Sequence, residues 1–351
     1  MPGRHIGASI GGRPLLTIFS CPKAFRGHIN LIQRNALKSW LALPGSPEVI
    51  LLGSDEGVAG VCREFGIRHI PEVQRNHHGT PLIPSIFNEA QRCARFSIMC
   101  YVNADIILLS DHVHSTQTVI SQIGFPFLLL GRRWDLNISE SLVFDHETEM
   151  ELRRRTRREG KLLSPNAIDY FVFPKGLFCE IPPFALGRPR WDNWIIYHAK
   201  SRGIRIVDLT VGNVIIHQNH DYAHIGEKDS RFRTSVERLE NEQLLGRCWP
   251  RYMYNVWDAS FILHDGQVKR PATLIFRRID SWLERVVGCM SVALRSSRYL
   301  YPLFVIAKSV WAAAQVGRKQ LYKATWSMGC QPPRTGERRN DSPPQRKEGQ
   351  R

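Results

Sequence analysis

The segment Ser97-Ile98-Met99-Cys100-Tyr101-Val102-Asn103-Ala104-Asp105-Ile106 is an apolar run that ends in two oxygen-bearing side chains two residues apart. On an extended chain, residues i and i+2 point the same way, and in α/β sheets ligands gather beyond the carboxyl ends of strands. Asn103 and Asp105 are therefore expected to face one crevice, where a hard divalent cation would find oxygen ligands. Asn and Asp also terminate strands and cap helices for local reasons, so the pair alone leaves both a metal site and a simple turn open.

Other residues fall at comparable places. Arg132, Arg133, Trp134 and Asp135 follow the apolar run Phe127–Leu130 and are expected at the same edge, where either arginine suits a phosphate. His217 closes the run Val214-Ile215-Ile216. Its spacing with His220 and His224 admits zinc, although no cysteine accompanies the three, and a structural histidine is the plainer alternative. There is no G-x-G-x-x-G fingerprint, no P-loop and no G-x-S-x-G elbow, and Cys100 lies inside a strand expected to be buried. Dinucleotide, P-loop and serine-hydrolase chemistry thereby lose their main support.

The elements that must position these residues alternate. Leu15–Ser20, Glu48–Gly53, Arg68–Ile70, Ile98–Val102 and Phe127–Leu130 read as strands, several apolar throughout, as suits a sheet covered on both faces. Helices are expected at His28–Leu41, Glu56–Phe65, Pro84–Arg95 and Asp111–Ile123, with Asp55 and Asp111 where N-caps would stand. After an arginine-rich stretch, ELRRRTRREGKLLSPN, the pattern resumes with a strand at Tyr170–Phe173 and a helix at Asp192–Arg202. Strands then follow near Ile204–Leu209 and Asn213–His217. Beyond these come a polar helix over Ser230–Leu245, a hairpin at Phe261–Val268 turning at Asp265-Gly266, and basic, aromatic-rich helices within Ala272–Trp326.

Taken in chain order, these features resemble the GT-A glycosyltransferases of the family 2 kind, in which a D-x-D motif ends a central strand as Asn103-Ala104-Asp105 does here. Asn at the first position departs from that pattern, keeping an oxygen ligand but removing a charge. The resemblance spans about Leu15 to Tyr222. It implies an α/β fold with a Rossmann-like, mostly parallel sheet flanked by helices and a C-terminal helical appendage. It further implies a nucleotide-sugar donor, a glycan or lipid-linked hydroxyl acceptor, and Mn2+ or Mg2+. It assigns the cation to Asp105 and His217 and donor contacts to Asp55, Asn103, Asp105, Arg132 and Asp169. Asp192 becomes the general base of an inverting transfer, with Trp191 and Trp194 free to stack on sugar faces. The local alternatives stand beside these roles: Asp55 and Asp192 as helix caps, and the two tryptophans, at i and i+3, as a core stripe.

The chain has 351 residues, 43% hydrophobic and 23% charged, which describes a globular protein with room for a full core. The expected boundaries are an unstructured start over 1–13, the sugar-transferase domain over 14–228, the helical appendage over 229–329 and a basic tail over 330–351. The eight scattered cysteines favour a reducing compartment, and with no signal-peptide pattern and no run of about 18 apolar residues the expected place is cytoplasmic. The net charge is +16, and from Arg270 onward 16 Lys and Arg stand against 5 Asp and Glu. Such an end attracts anionic lipid or nucleic acid. Basic residues interleaved with Trp282, Leu283, Val286, Phe304 and Trp311 suggest peripheral contact through 272–326 at the inner face of a membrane. A non-catalytic nucleotide-sugar binder ranks second, and a nucleic-acid binder third.

Overall fold

The computed structural model describes residues 16–220 and 235–295, together with Pro302. The expected start and tail, His224, and most of 296–326 lie outside the described residues.

The expected α/β architecture is present: a nine-stranded, mostly parallel sheet flanked by helices. Its strands in chain order are β1 (Leu16–Ser20), β2 (Glu48–Leu52), β3 (Arg68–Ile70), β4 (Ile98–Val102), β6 (Phe127–Leu130), β9 (Tyr170–Pro174), β10 (Arg205–Asp208), β12 (Phe261–His264) and β13 (Gln267–Lys269). They lie in the order β13-β12-β10-β6-β9-β4-β1-β2-β3. Only β9, between β4 and β6, and the edge strand β13 run antiparallel to their neighbours. The expected hairpin at 261–268 thus extends the large sheet.

The inner strands β1, β4, β6 and β9 are buried in both registers because both faces are covered. Phe19, Met99, Tyr101, Phe171 and Phe173 pack on one side with α3 (Ile83–Cys93) and α6 (Trp191–Ser201). Ile18, Cys100, Val102 and Val172 pack on the other with α1 (Gly27–Leu41), α2 (Val58–Phe65) and α4 (Asp111–Ile123). Trp191 and Trp194 are both buried in the first of these layers, so the core-stripe alternative describes their placement.

A second sheet, β5 (Ile106–Leu108), β11 (Ile215–Gln218), β7 (Trp134–Leu136) and β8 (Lys161–Leu162), was not foreseen. It has its own core of Ile107, Leu109, Leu136, Ile138, Leu142, Leu152 and Ile216. The arginine-rich stretch forms α5 (His146–Glu159), capped by Asp145, whose side chain accepts the Thr148 N–H.

Two expected caps are corrected. Helix α2 starts after Gly57, whose φ of +85° turns the chain without a side-chain cap, and Asp55 instead pairs with Arg75 at 2.7 Å. Asp111 lies inside α4 behind Ser110 and receives Arg153 and the Val214 N–H on one oxygen.

Two further helices complete the described chain: α7 (Val236–Leu244) and α8 (Leu274–Arg295). Helix α7 grips the segment that leads into α6. Asn241 bonds the backbone of Ala185 and Pro189, Glu237 pairs with Arg188, and Glu242 with Arg190.

Candidate metal and donor site

Strand β4 ends at Val102, and the chain turns at Ala104 and Asp105 into β5. This turn sends Asn103 and Asp105 different ways, against the expectation that both face one cation. The Asn103 side chain accepts the Tyr101 hydroxyl at 2.8 Å and donates to Asp169 at 2.7 Å. Asp105 enters the second sheet. There β11 runs antiparallel to β5 and parallel to β7, which sets His217 opposite Ile106 on one side and Asp135 on the other.

The result is a cluster in which Asp105 Oδ2 lies 3.6 Å from His217 Nε2 and 3.3 Å from His220 Nε2. The ligand atoms of all three residues lie within 4.8 Å of one another. Asp135 Oδ1 lies 3.1 Å from the other His217 nitrogen, and a carboxylate placed behind a ring in this way helps to orient it toward a metal. Asp105 Oδ1 is buried and has no hydrogen-bond partner among the described residues. A buried, unpaired carboxylate oxygen is costly, and a cation would satisfy it. The residues present therefore fit a divalent ion held by Asp105, His217 and His220.

Burial opposes the charge on both partners, yet their mutual bonds win. Asp105 is held well below the usual carboxylate range by His217 and His220, and His217 is pushed up to about 9 by Asp105 and Asp135. The Asp105 backbone is fixed from behind by fully buried Gln218, whose amide donates to the carbonyls of Ile32 and Asp105 and accepts from Asn35.

Around this cluster, Asp169 is buried against Arg133 and Asn103. Tyr101, raised far above its ordinary value first by burial, also feels Cys21, Asp169, Asp105 and Asp192, which puts three carboxylates about one buried phenol. Trp191 packs edge-on to Tyr101 at 5.1 Å and so sets the start of α6 at this edge. Asp192 follows it, half-buried, and its carboxylate accepts the Asn193 N–H. Burial pushes its pKa up to about 6, with Asp169 adding to the rise and Arg190 opposing it. Arg132 donates from its backbone to Thr210 and from its side chain to the Leu163 carbonyl. Asp55, paired with Arg75 beyond β2, is not part of the cluster.

The sequence matches no family profile and no curated protein. Among solved structures, the chain is similar to glucosyl-3-phosphoglycerate synthase from Mycobacterium tuberculosis in complex with Mn2+, UDP and glucosyl-3-phosphoglycerate, at 15% identity and a TM-score of 0.40. That match covers 68% of this chain and 86% of the synthase. It is also similar to a mannosyltransferase from Pyrobaculum calidifontis in complex with GDP-mannose and Mn2+, at 10% identity and a TM-score of 0.43, covering 90% and 84% of the two chains.

Asp135 was expected at this edge but not as the partner of His217, a role set by the pairing of two short strands distant in sequence. One contributor lacked a sequence signal. Lys23, in the loop after β1, is held at its backbone by Gln33 and lies within electrostatic reach of Asp105 and Arg188.

Proposed function

We propose that the protein is a glycosyltransferase that moves a sugar from a nucleoside-diphosphate donor to a hydroxyl acceptor with inversion. The single observation that carries this is the unpartnered buried oxygen of Asp105 beside His217 and His220, at the carboxyl edge of a mostly parallel sheet. Asp105, His217 and His220 would hold a divalent ion there, which would supply charge neutralisation for the departing diphosphate. Arg132 and Lys23 add positive charge for the phosphates. Asp192 takes the acceptor's hydroxyl proton as that oxygen bonds to the anomeric carbon and the bond from that carbon to the diphosphate breaks. A carboxyl near 6 is ionised at neutral pH yet basic enough for the task.

Thermal unfolding in the presence of UDP-, GDP- and dTDP-sugars, with and without Mn2+ or Mg2+, tests the donor site. One nucleotide class should raise the transition only with metal, and Asp105→Ala should abolish that rise. A folded protein that no nucleotide stabilises would overturn the proposal.

Helix α8 favours work at an anionic lipid surface. It packs against the domain through its polar side: Arg277 pairs with buried Asp208 at 2.9 Å, Ser281 and Arg285 bind Asp258, and Glu284 meets Asn166 and Asn255. Its apolar side faces outward, with Ile275, Phe276, Ile279 and Trp282 between 49% and 74% exposed. A helix turned this way has its hydrophobic stripe available to an outside apolar phase. Exposed Lys269, Arg270 and Arg278 flank the stripe and suit phosphate headgroups. No helix among the described residues is long and apolar enough to cross a membrane. The full chain should sediment with phosphatidylglycerol vesicles and not with phosphatidylcholine, and Phe276→Ser with Trp282→Ser should release it. Equal sedimentation of the double variant would remove α8 from the proposal.

A further inference from the structure

Away from the Asp105 cluster, a second group of ligating side chains joins two elements distant in sequence. His77 and His78, in the segment between β3 and α3, direct their Nε2 atoms to the same Oε1 of Glu240 on α7, at 3.4 and 3.2 Å. The two imidazoles are neighbours, with centroids 3.8 Å apart and planes tilted by 42°, and all three ligand atoms lie within 4.8 Å of one another.

Both sides of the group are fixed by bonds that do not involve the ligands. Asn76 accepts the backbone N–H groups of His78 and Thr80 on its side chain, and its own N–H bonds the Thr80 carbonyl. The tight loop this forms ties to α7 through Asn76 Nδ2 and Glu237, one turn before Glu240. On the other side, buried Asn241 anchors α7 to Ala185 and Pro189. The three ligands are therefore presented from a braced frame.

We propose that His77, His78 and Glu240 form a zinc site distinct from the Asp105 cluster. A tetrahedral zinc with ligands at about 2.1 Å keeps neighbouring ligand atoms about 3.4 Å apart, close to the 3.4 and 3.2 Å that separate the two histidine nitrogens from Glu240 Oε1. Two imidazole nitrogens and one carboxylate oxygen suit zinc better than the hard cations that prefer oxygen. A single cation would take one lone pair from each ring and one from the carboxylate at once. His77 and Glu240 themselves line a cleft of about 380 Å³, with Asn76, Pro183, Gln243 and Leu244, which has room for water. Bound zinc fastens the segment after β3 to α7, and α7 holds the stretch of 185–190 that delivers Asp192.

The experiment is zinc titration calorimetry on the full chain without nucleotide, repeated on His78→Gln, on Glu240→Gln and on Asp105→Ala, each checked for folding by metal-free thermal unfolding. Wild type and Asp105→Ala should both retain one zinc equivalent that raises the unfolding temperature. His78→Gln and Glu240→Gln should weaken that equivalent at least about tenfold, the loss common even for changes outside the ligand shell. Unchanged binding in both variants, or loss of all zinc in Asp105→Ala, would overturn the second site. Nucleotide binding through Asp105 is read separately and stands or falls on its own.

Discussion

One guanidinium nitrogen of Arg133 lies 2.8 Å from both carboxylate oxygens of Asp169, and the same aspartate accepts the Asn103 amide. A buried carboxylate with a full set of partners holds neighbouring groups in place. Arg133→Ala leaves Asp169 buried without its counter-charge, a change expected to cost about 3–5 kcal/mol. Denaturant unfolding should show the loss, and Asp169→Asn in the same chain should restore much of it. If the two changes add without coupling, the pair does not brace the site.

Asp192 makes activity depend on pH in a stated direction. Its folded pKa of about 6 lies above the usual carboxylate value, so the base is lost as pH falls through 6. The acidic limb of kcat/KM should sit near that value. For stability the sign reverses: the folded form favours the proton, so this group's contribution is present at low pH and fades as pH rises through 6. Asp192→Asn should therefore abolish turnover, keep nucleotide binding, and raise the unfolding temperature at pH 8. An acidic limb left in place in a still-active Asn variant would take the base role from Asp192.

Gly131 follows β6, directly before Arg132 and Arg133. A Cβ there would stand 2.6 Å from the Tyr170 hydroxyl and 3.1 Å from the Thr210 nitrogen, both in packed surroundings. Gly131→Ala is expected to cost about 1–3 kcal/mol through overpacking. It should also weaken nucleotide binding, because the two arginines follow in the next positions. Gly60→Ala, with open space around its Cβ, is the control for the packing effect. Equal nucleotide affinity in Gly131→Ala and wild type would separate the arginines from the donor.

The strands β1, β2, β4 and β6 were legible because burial on both faces turns them into largely apolar runs. Strands β5, β7 and β8 were not, since two or three residues carry too little periodicity, and their pairing is set by tertiary contacts. The same limit governs the site. Asp105 and His217 showed as strand-end residues, whereas the turn that parts Asn103 from Asp105 and the pairing that brings Asp135 to His217 depend on the second sheet. In α8 the sequence showed two faces but not which one is buried, because the partners Asp208 and Asp258 lie far away in the chain.

That inversion of α8 gives the last prediction. Arg277 and Asp208 are both almost wholly buried, with Asp208 also accepting from Thr210. Apolar burial does not hold this end of the helix, so the ion pair must. Arg277→Leu keeps the bulk and strands the Asp208 charge, at a cost of about 3–5 kcal/mol. If α8 is held by this pair, the variant should open locally before it unfolds globally, and trypsin should cut first near Arg270 and Arg278 while the sheet stays intact. Arg277→Leu with Asp208→Asn removes the stranded charge and should recover resistance to trypsin. Cleavage at an unchanged rate in the single variant would show that α8 is held by other contacts, with Arg285 and Asp258 the next pair to break.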